Sequence, residues 1–260
     1  MKFSVITVTL NDLAGLQATL ASTLRQHHEE LEAIVIDGGS IGGTKEWLSS
    51  QTDRRIRWLS ESDRGLYDAM NKGLDRARGD YVVFMNSGDA FADDQVLEKV
   101  AHAASVQPRP HLVYGDAVDI TISGRRLYKR ARPYETLWRG MFTQHQAMFF
   151  SRSTIGSLRH RLTFRLSGDY DFIARFTRQA TSGGGPFVKR LDIPVCCFQL
   201  GGRSERGRLK ALGEDFAIRR RTMGLWLITC TWLWTAHLVH FVLKWATPGL
   251  MRIIRYEGAT

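Results

Sequence analysis

Asn86-Ser87-Gly88-Asp89 ends an unbroken apolar run, Tyr81 to Met85, in a tight polar turn. Consecutive apolar residues without alternation suit a strand buried on both faces of a parallel sheet. Ligands of open α/β sheets collect at the carboxyl ends of such strands. A carboxylate at that mouth is costly to hold unless something cationic meets it. Hard divalent cations take oxygen ligands, and Mg²⁺ commonly combines one or two carboxylates with phosphate oxygens of its substrate. Asp89 is therefore a candidate for gripping a metal–diphosphate; the plainer reading is a turn leading to a helix capped by Asp93 or Asp94.

Other polar turns offer related chemistry. In Asp37-Gly38-Gly39-Ser40 the glycines let backbone amides approach a ligand, and Asp37 could accept a hydrogen bond from a base or ribose. Turn formation alone also accounts for this tetrapeptide. Glu61-Ser62-Asp63-Arg64-Gly65 is a further turn, followed by Tyr67-Asp68-Ala69-Met70-Asn71-Lys72-Gly73. Helical spacing puts Asp68 and Asn71 on one face, and a first-turn Asp68 suits the helix dipole. A well-capped amphipathic helix explains the same pattern.

The elements that must position these residues alternate through the first half. Strands are expected at Phe3–Thr9, Leu31–Ile36, Ile56–Ser60 and Tyr81–Met85. Helices are expected from Leu13 to Leu24, near Thr44–Ser50, and from Leu66 to Ala77, with Asn11 or Asp12 capping the first. Short connections of this kind imply a parallel sheet with right-handed crossovers. The polar loops then line one edge of that sheet. After Pro108 the pattern changes to a short strand from His111, a hairpin of Val118–Ile122 with Arg126–Lys129, and an apolar strand Gln144–Phe150 carrying His145-Gln146. A helix begins in Ser167-Gly168-Asp169-Tyr170-Asp171, and strands at Phe187–Lys189 and Ile193–Leu200 follow the glycine tract 182–185.

Composition sets outer limits. The 260 residues are 43% hydrophobic and 24% charged, ordinary for a folded protein, but the net charge is +10. Arginine crowds the second half, which suggests an anionic partner: nucleic acid, membrane surface or phosphorylated substrate. Cys196, Cys197 and Cys230 show no metal or redox spacing and read as reduced thiols. The run Lys2 to Val8 is too short and β-branched for a signal-peptide core, so a cytosolic protein is expected. Glu205 to Arg221 is a basic helical stretch, and Met223 to Leu243 then lacks Asp, Glu, Lys and Arg. That length nominally admits a membrane span. Its histidines, threonines, clustered tryptophans and basic flanks fit better with an interfacial helix or hairpin on an anionic leaflet.

The chain contains no GxGxxG, GxxxxGK[ST], HExxH or GxSxG, which argues against a dinucleotide-binding Rossmann enzyme, a P-loop NTPase, a zincin and a serine hydrolase. Four stretches in order are Ser4-Val-Ile-Thr-Val-Thr-Leu-Asn11, Val35-Ile-Asp37-Gly-Gly-Ser40, Ser60 to Gly73, and Phe84-Met-Asn-Ser-Gly-Asp89. Together they resemble the family 2 glycosyltransferases, nearest to bacterial enzymes of exopolysaccharide and colanic-acid assembly. The likeness is strong over residues 3–90, moderate over 144–202 and slight in the tail.

The resemblance implies an α/β GT-A fold, with a mainly parallel central sheet flanked by helices and a C-terminal basic and apolar helical appendage. It implies inverting, metal-assisted transfer from a nucleotide-diphosphate sugar such as a UDP- or GDP-sugar. Thr9 and the Asn11 loop, Asp37, Gly38, Asp63 and Gly65 would border the nucleoside, with Asp68 and Asn71 nearby. Asn86 to Asp89 stands where the family has its Asp-x-Asp motif; here Asp89 is its only carboxylate, with Asn86 and Ser87 beside it, for Mn²⁺ or Mg²⁺. Gly168-Asp169 stands where the family has a Glu-Asp pair, which makes Asp169 the expected base and Asp171 the second choice. A helix N-cap is the plainer role for Asp169. His145-Gln146 resembles the family's His-Gln pair near acceptor and sugar, although a lone His on an apolar strand is more often a core residue. Arg203 could neutralise diphosphate.

These readings divide the chain into a transferase domain, 1–204, with a nucleotide-sugar half to residue 106 and an acceptor half from 107, and a membrane-associated region, 205–260. The expected partners are the donor, a polyprenyl-diphosphate-linked saccharide acceptor and the anionic inner face of the cell membrane. A basic nucleic-acid-binding protein explains the charge but not the acidic loops. A sugar nucleotidyltransferase would carry a glycine- and arginine-rich phosphate loop after the first strand, which is absent.

Overall fold

The computed structural model describes residues 1–180, 187–201 and 207–246. Strands β1 (Phe3–Thr9) and β2 (Leu31–Asp37) are buried at every position, including the polar Ser4, Thr7, Thr9, Glu32 and Asp37 among their apolar residues. With β3 (Ile56–Ser60) and β4 (Tyr81–Phe84) they form a parallel half-sheet ordered β3-β2-β1-β4. Register aligns Thr9 with Asp37, and Asp37 with Ser60. The carboxyl ends of β1, β2 and β3 are therefore level, which sets their polar loops side by side.

Beyond β4 the sheet becomes mixed and continues β8-β6-β9-β5, with β7 (Arg126–Lys129) paired to β6. Here β5 is Ala90–Phe91, β6 Leu112–Ile120, β8 Met148–Ser151 and β9 Val188–Gln199. Strand β6 joins into one the short strand expected from His111 and the hairpin strand expected from Val118, with a register shift against β9 around Asp116. Likewise β9 is one strand across Pro194. His145-Gln146 lies on a 3-10 turn, His145–Ala147, and not on the strand, which starts at Met148. That turn lifts both side chains out of the sheet's alternation.

Helices α1 (Leu13–Leu24) and α2 (Thr44–Ser49) cover the β2 side, where Leu16, Leu20 and Leu48 pack on Ala33 and Val35. Helix α3 (Leu66–Leu74), shorter than its pattern suggested, and α6 (Gly168–Ala180) cover one face, with Met70, Phe172 and Phe176 around Ile6, Phe84 and Phe150. Helix α4 (Val96–Ala104) covers the other, packing Val96, Leu97 and Val100 with Val5, Val83 and Phe149. A short α5 (Arg152–Ile155) precedes α6. Then α7 (Arg208–Arg221) buries Ala211, Leu212 and Ile218, and α8 (Leu227–Ala246) returns alongside it. Among the described residues, no helix is long and apolar enough to cross a membrane.

Candidate active site

At the β2 end, the Asp37 carboxylate is fully buried. It accepts from the Ser40 amide at 3.1 Å, the Ser40 hydroxyl at 2.5 Å and Ser60 Oγ at 2.7 Å. Asn11 takes a left-handed backbone conformation (φ 55°), an excursion Asn tolerates better than most residues. Its amide donates to Ser40 Oγ at 2.6 Å and its Oδ1 accepts from Ile41 N at 2.9 Å. The Thr9 carbonyl accepts Gly38 N at 2.9 Å. A Cβ on Gly38 would lie 2.4 Å from Asp63 Oδ2, so only glycine lets Asp63 close against this loop. Gly65 N in turn donates to Asp63 Oδ1 at 2.7 Å. Thr9, Asn11, Asp37, Gly38, Asp63 and Gly65 thus form one connected cluster of loops at the strand ends.

Asp12 carries the rim onward to β4. It caps α1 through Gly15 N at 3.0 Å, and Ser87 Oγ donates to its Oδ2 at 2.7 Å. Next in line, Asn86 Nδ2 meets His145 Nε2 at 3.3 Å, and His145 Nδ1 lies 3.4 Å from Asp169 Oδ2. The turn after β4 and the start of α6 are therefore joined through one imidazole. Asp89 lies beneath them, nearly inaccessible, accepting from Gln146 Nε2 at 2.7 Å and Gln199 N at 3.2 Å. Burial pushes its carboxyl up to about 6, and those two hydrogen bonds only partly offset the loss of water.

Asp169 opens α6 and keeps 24% of its side chain exposed, while His145 keeps 14%. Burial alone would push the Asp169 carboxyl up. The His145 hydrogen bond and charge together with the Tyr170 amide outweigh it and hold the group below the usual carboxylate range. Tyr67 Oη reaches Asp169 Oδ1 at 3.4 Å. Burial and the Asp169 charge keep that phenol protonated, its pKa well above its ordinary value. The same ring explains the glycine before Asp169: a Cβ on Gly168 would meet Tyr67 Cε2 at 2.6 Å.

Other expected residues face elsewhere. Asp68 accepts from Arg64 N and Nη2 at 3.1 and 3.0 Å, closing the start of α3. Asn71 spends both ends of its amide on the His160 backbone, at 2.9 and 2.7 Å. Asp171 is fully buried and bonded to Arg175 at 2.8 Å and Thr222 Oγ1 at 2.8 Å, with Arg161 at 3.4 Å, so it serves the α6–α7 packing. Arg203 lies outside the described residues. Two contributors escaped the sequence reading: Tyr67, whose place within the Gly65–Gly73 stretch was a usable signal, and Glu214. The latter accepts the amides of Arg165, Leu166 and Ser167 at 3.1, 2.9 and 2.9 Å, just before Asp169.

Among the described residues, no three His, Cys, Asp or Glu side chains gather as a metal site. The turn nonetheless offers oxygen donors. Asn86 Oδ1 and Gln146 Oε1 are buried without a hydrogen-bond partner, beside the Asp89 carboxylate. A set of one carboxylate and two amide oxygens suits a hard cation that draws its remaining ligands from phosphate.

The α/β half-sheet thus carries its polar loops side by side at the strand ends, with the Asp169 carboxylate of α6 joined to them through His145. The profile of glycosyl transferase family 2 matches residues 4–167, and the chain belongs to that family. It is 32% identical over 177 residues to a PGL/p-HBAD biosynthesis glycosyltransferase of Mycobacterium bovis, covering 66% of this chain and 68% of that protein. It is 38% identical over 99 residues to a putative teichuronic acid biosynthesis glycosyltransferase of Bacillus subtilis, covering 37% and 39%. S. aureus TarS 1–349 in complex with UDP superposes with a TM-score of 0.64 at 16% identity, covering 92% of this chain and 71% of that one. A mannosyltransferase from Pyrobaculum calidifontis, in complex with GDP-Man and Mn²⁺, gives 0.65 at 19%, covering 95% and 72%. The fold is GT-A.

Proposed function

We propose that this glycosyltransferase moves a sugar, with inversion, from a UDP- or GDP-linked donor to a saccharide on polyprenyl diphosphate during synthesis of a surface polysaccharide. The observation that carries the reading is the imidazole of His145 set between Asn86 and Asp169, since it fixes a partly exposed carboxylate beside the turn expected to meet the donor diphosphate. The donor's nucleoside rests on the Asn11, Asp37, Gly38 and Asp63 cluster. Asp169 takes the proton of the acceptor hydroxyl as that oxygen bonds to the anomeric carbon, and the bond from that carbon to the diphosphate breaks with its electrons on the leaving oxygen. His145 holds Asp169 ionised and aimed for this step. Asp89, with the Asn86 and Gln146 oxygens, would hold Mn²⁺ or Mg²⁺, which when bound stabilises charge on the departing diphosphate.

The acidic rim disfavours nucleic acid, whose backbone it would repel. An anionic membrane surface fits the C-terminal hairpin. Trp226, Ile228, Trp232, Val239 and Val242 of α8 and its lead-in are solvent-exposed, and Arg220 and Arg221 lie just before them. These exposed apolar and basic residues support the reading of a peripheral protein on the cytoplasmic face. The test is a melting screen with UDP- and GDP-sugars and Mn²⁺, followed by assay for release of the nucleoside diphosphate. One donor should raise the melting temperature in proportion to occupancy. Failure of every donor to stabilise the chain or release its diphosphate would overturn the assignment.

A further inference from the structure

Arg219, on α7, is fully buried, yet among the described residues no carboxylate pairs with it. Its Nε donates to the Trp138 carbonyl at 3.1 Å and its Nη2 to the Arg139 carbonyl at 3.2 Å. Nη2 also lies 3.4 Å from His237 Nδ1, and the guanidinium sits 5.5 Å from the centre of the Tyr170 ring. Among the described residues, Nη1 has no hydrogen-bond partner. A guanidinium stays charged at every accessible pH. Burying one without a counter-charge is costly unless an anion completes the arrangement.

The surroundings add positive charge. Arg132 and Arg139 stand exposed at the surface end of the segment that carries those carbonyls, and Arg132 Nη2 donates to the Met141 carbonyl at 2.9 Å. Arg132 and Arg139 repel one another, and Arg208, Arg132 and His240 add to the positive field at His237. Burial and the neighbouring arginines push the His237 imidazole down to about 4, so it is a neutral hydrogen-bonding group near pH 7. Asp215 is an acid that faces this cluster; burial pushes its carboxyl up, while the Arg219 and Arg208 charges act the other way, so one buried carboxyl is set against several cationic groups. Nor is the cluster remote from the chemistry. Tyr170, which Arg219 covers, follows Asp169 directly and anchors its Oη on the Leu137 carbonyl at 2.8 Å.

We propose that Arg219, Arg132 and Arg139 form a second phosphate site, separate from the donor pocket, that takes a phosphate or diphosphate group on the acceptor side of Asp169. The proposal rests on the glycosyltransferase reading for its biological ligand, the diphosphate that carries the growing saccharide. The physical claim, an anion site at Arg219, stands on the cluster alone. Guanidinium forks match phosphate oxygens in pairs, and Nη1 is the donor left to make that contact.

The experiment is calorimetric titration of the full chain, in EDTA, with inorganic pyrophosphate and with farnesyl diphosphate. Both probes should bind the wild type, and affinity should fall about tenfold for each guanidinium removed, first in Arg132→Gln/Arg139→Gln. Those two side chains are exposed, so the double variant should fold; Arg219→Lys, checked by its melting curve, tests the buried member. Tighter binding of farnesyl diphosphate identifies a lipid-borne group, and equal binding identifies phosphate as such. No binding by wild type, or undiminished binding by the double variant, overturns the site. So does displacement of pyrophosphate by UDP or GDP, because the anion would then occupy the donor pocket. Donor-induced stabilisation with Mn²⁺ is read separately, so the transferase reading survives failure of this one.

Discussion

Asp89→Asn should make the protein more stable at alkaline pH while removing its activity. The wild-type carboxyl is raised from 3.8 to about 6 by burial, with Gln146 and Gln199 offsetting part of the cost. A carboxylate whose folded pKa exceeds its unfolded value binds more protons folded than unfolded. The penalty is thus absent below about pH 4, grows between roughly 4 and 6, and is complete above that. A difference of about two pH units corresponds to roughly 3 kcal/mol at pH 8. The substitution keeps the hydrogen bonds if the Gln146 amide turns over. Its Oε1, unpartnered now, then accepts from the new amide, while Asn Oδ1 accepts from Gln199 N. For a chain of this size, that energy is a rise on the order of 5–10 °C in melting temperature at pH 8, and almost none at pH 4. Scanning calorimetry across pH 4 to 8 reads the difference between wild type and variant. Mn²⁺ should narrow that gap from the wild-type side at pH 8, since a bound cation favours the ionised carboxylate. A variant that melts lower than wild type at pH 8, or shows the same offset at both pH values, would refute the claim that Asp89 is an uncompensated buried charge.

Asp169→Asn should lower kcat by about 10²–10⁴-fold and leave donor-induced stabilisation intact; loss of donor binding with turnover preserved would move the base elsewhere. On α8, Ile228, Trp232 and Val239 are 83%, 60% and 50% exposed. Replacing all three with Glu should release the protein from anionic vesicles in a sedimentation assay without altering its melting curve, and an unchanged partition would remove the membrane assignment.

What could be read from the chain follows from how local each interaction is. The half-sheet β3-β2-β1-β4 was legible because its strands are short, largely apolar and β-branched stretches, and the polar residues after each mark where the strand must end. Asp63 closes on Gly38, next to Asp37, because register levels the ends of β2 and β3. His145-Gln146 was placed on the wrong element, since Ala147 to Phe150 continues the apolar pattern while the backbone before it coils into a 3-10 turn. Asp171 shared a motif with Asp169, but helical geometry turns it to the opposite side, onto Arg175 and Thr222.

Glu214 shows where such reading ends. Three amides before α6 have no partner in their own helix, as the first turn of any helix leaves donors unsatisfied. Ordinarily a neighbouring Ser, Thr or Asp fills that need, and the plainer expectation is a local cap by Asp169. Instead the carboxylate comes from α7, 47 to 49 residues further along, and takes all three amides at once. Hydrogen bonds to a charged acceptor contribute roughly 1.5–3 kcal/mol each, so the basic helix is tied energetically to the loop that aims Asp169. Nothing in the spacing of Arg208 to Arg221 announces this, because a lone Glu among arginines reads as an ordinary surface ion-pair partner. The same helix carries Arg219, so the element with the fewest family features supports the candidate base from one side and, on the other, presents a buried guanidinium with an unbonded Nη1 among the described residues.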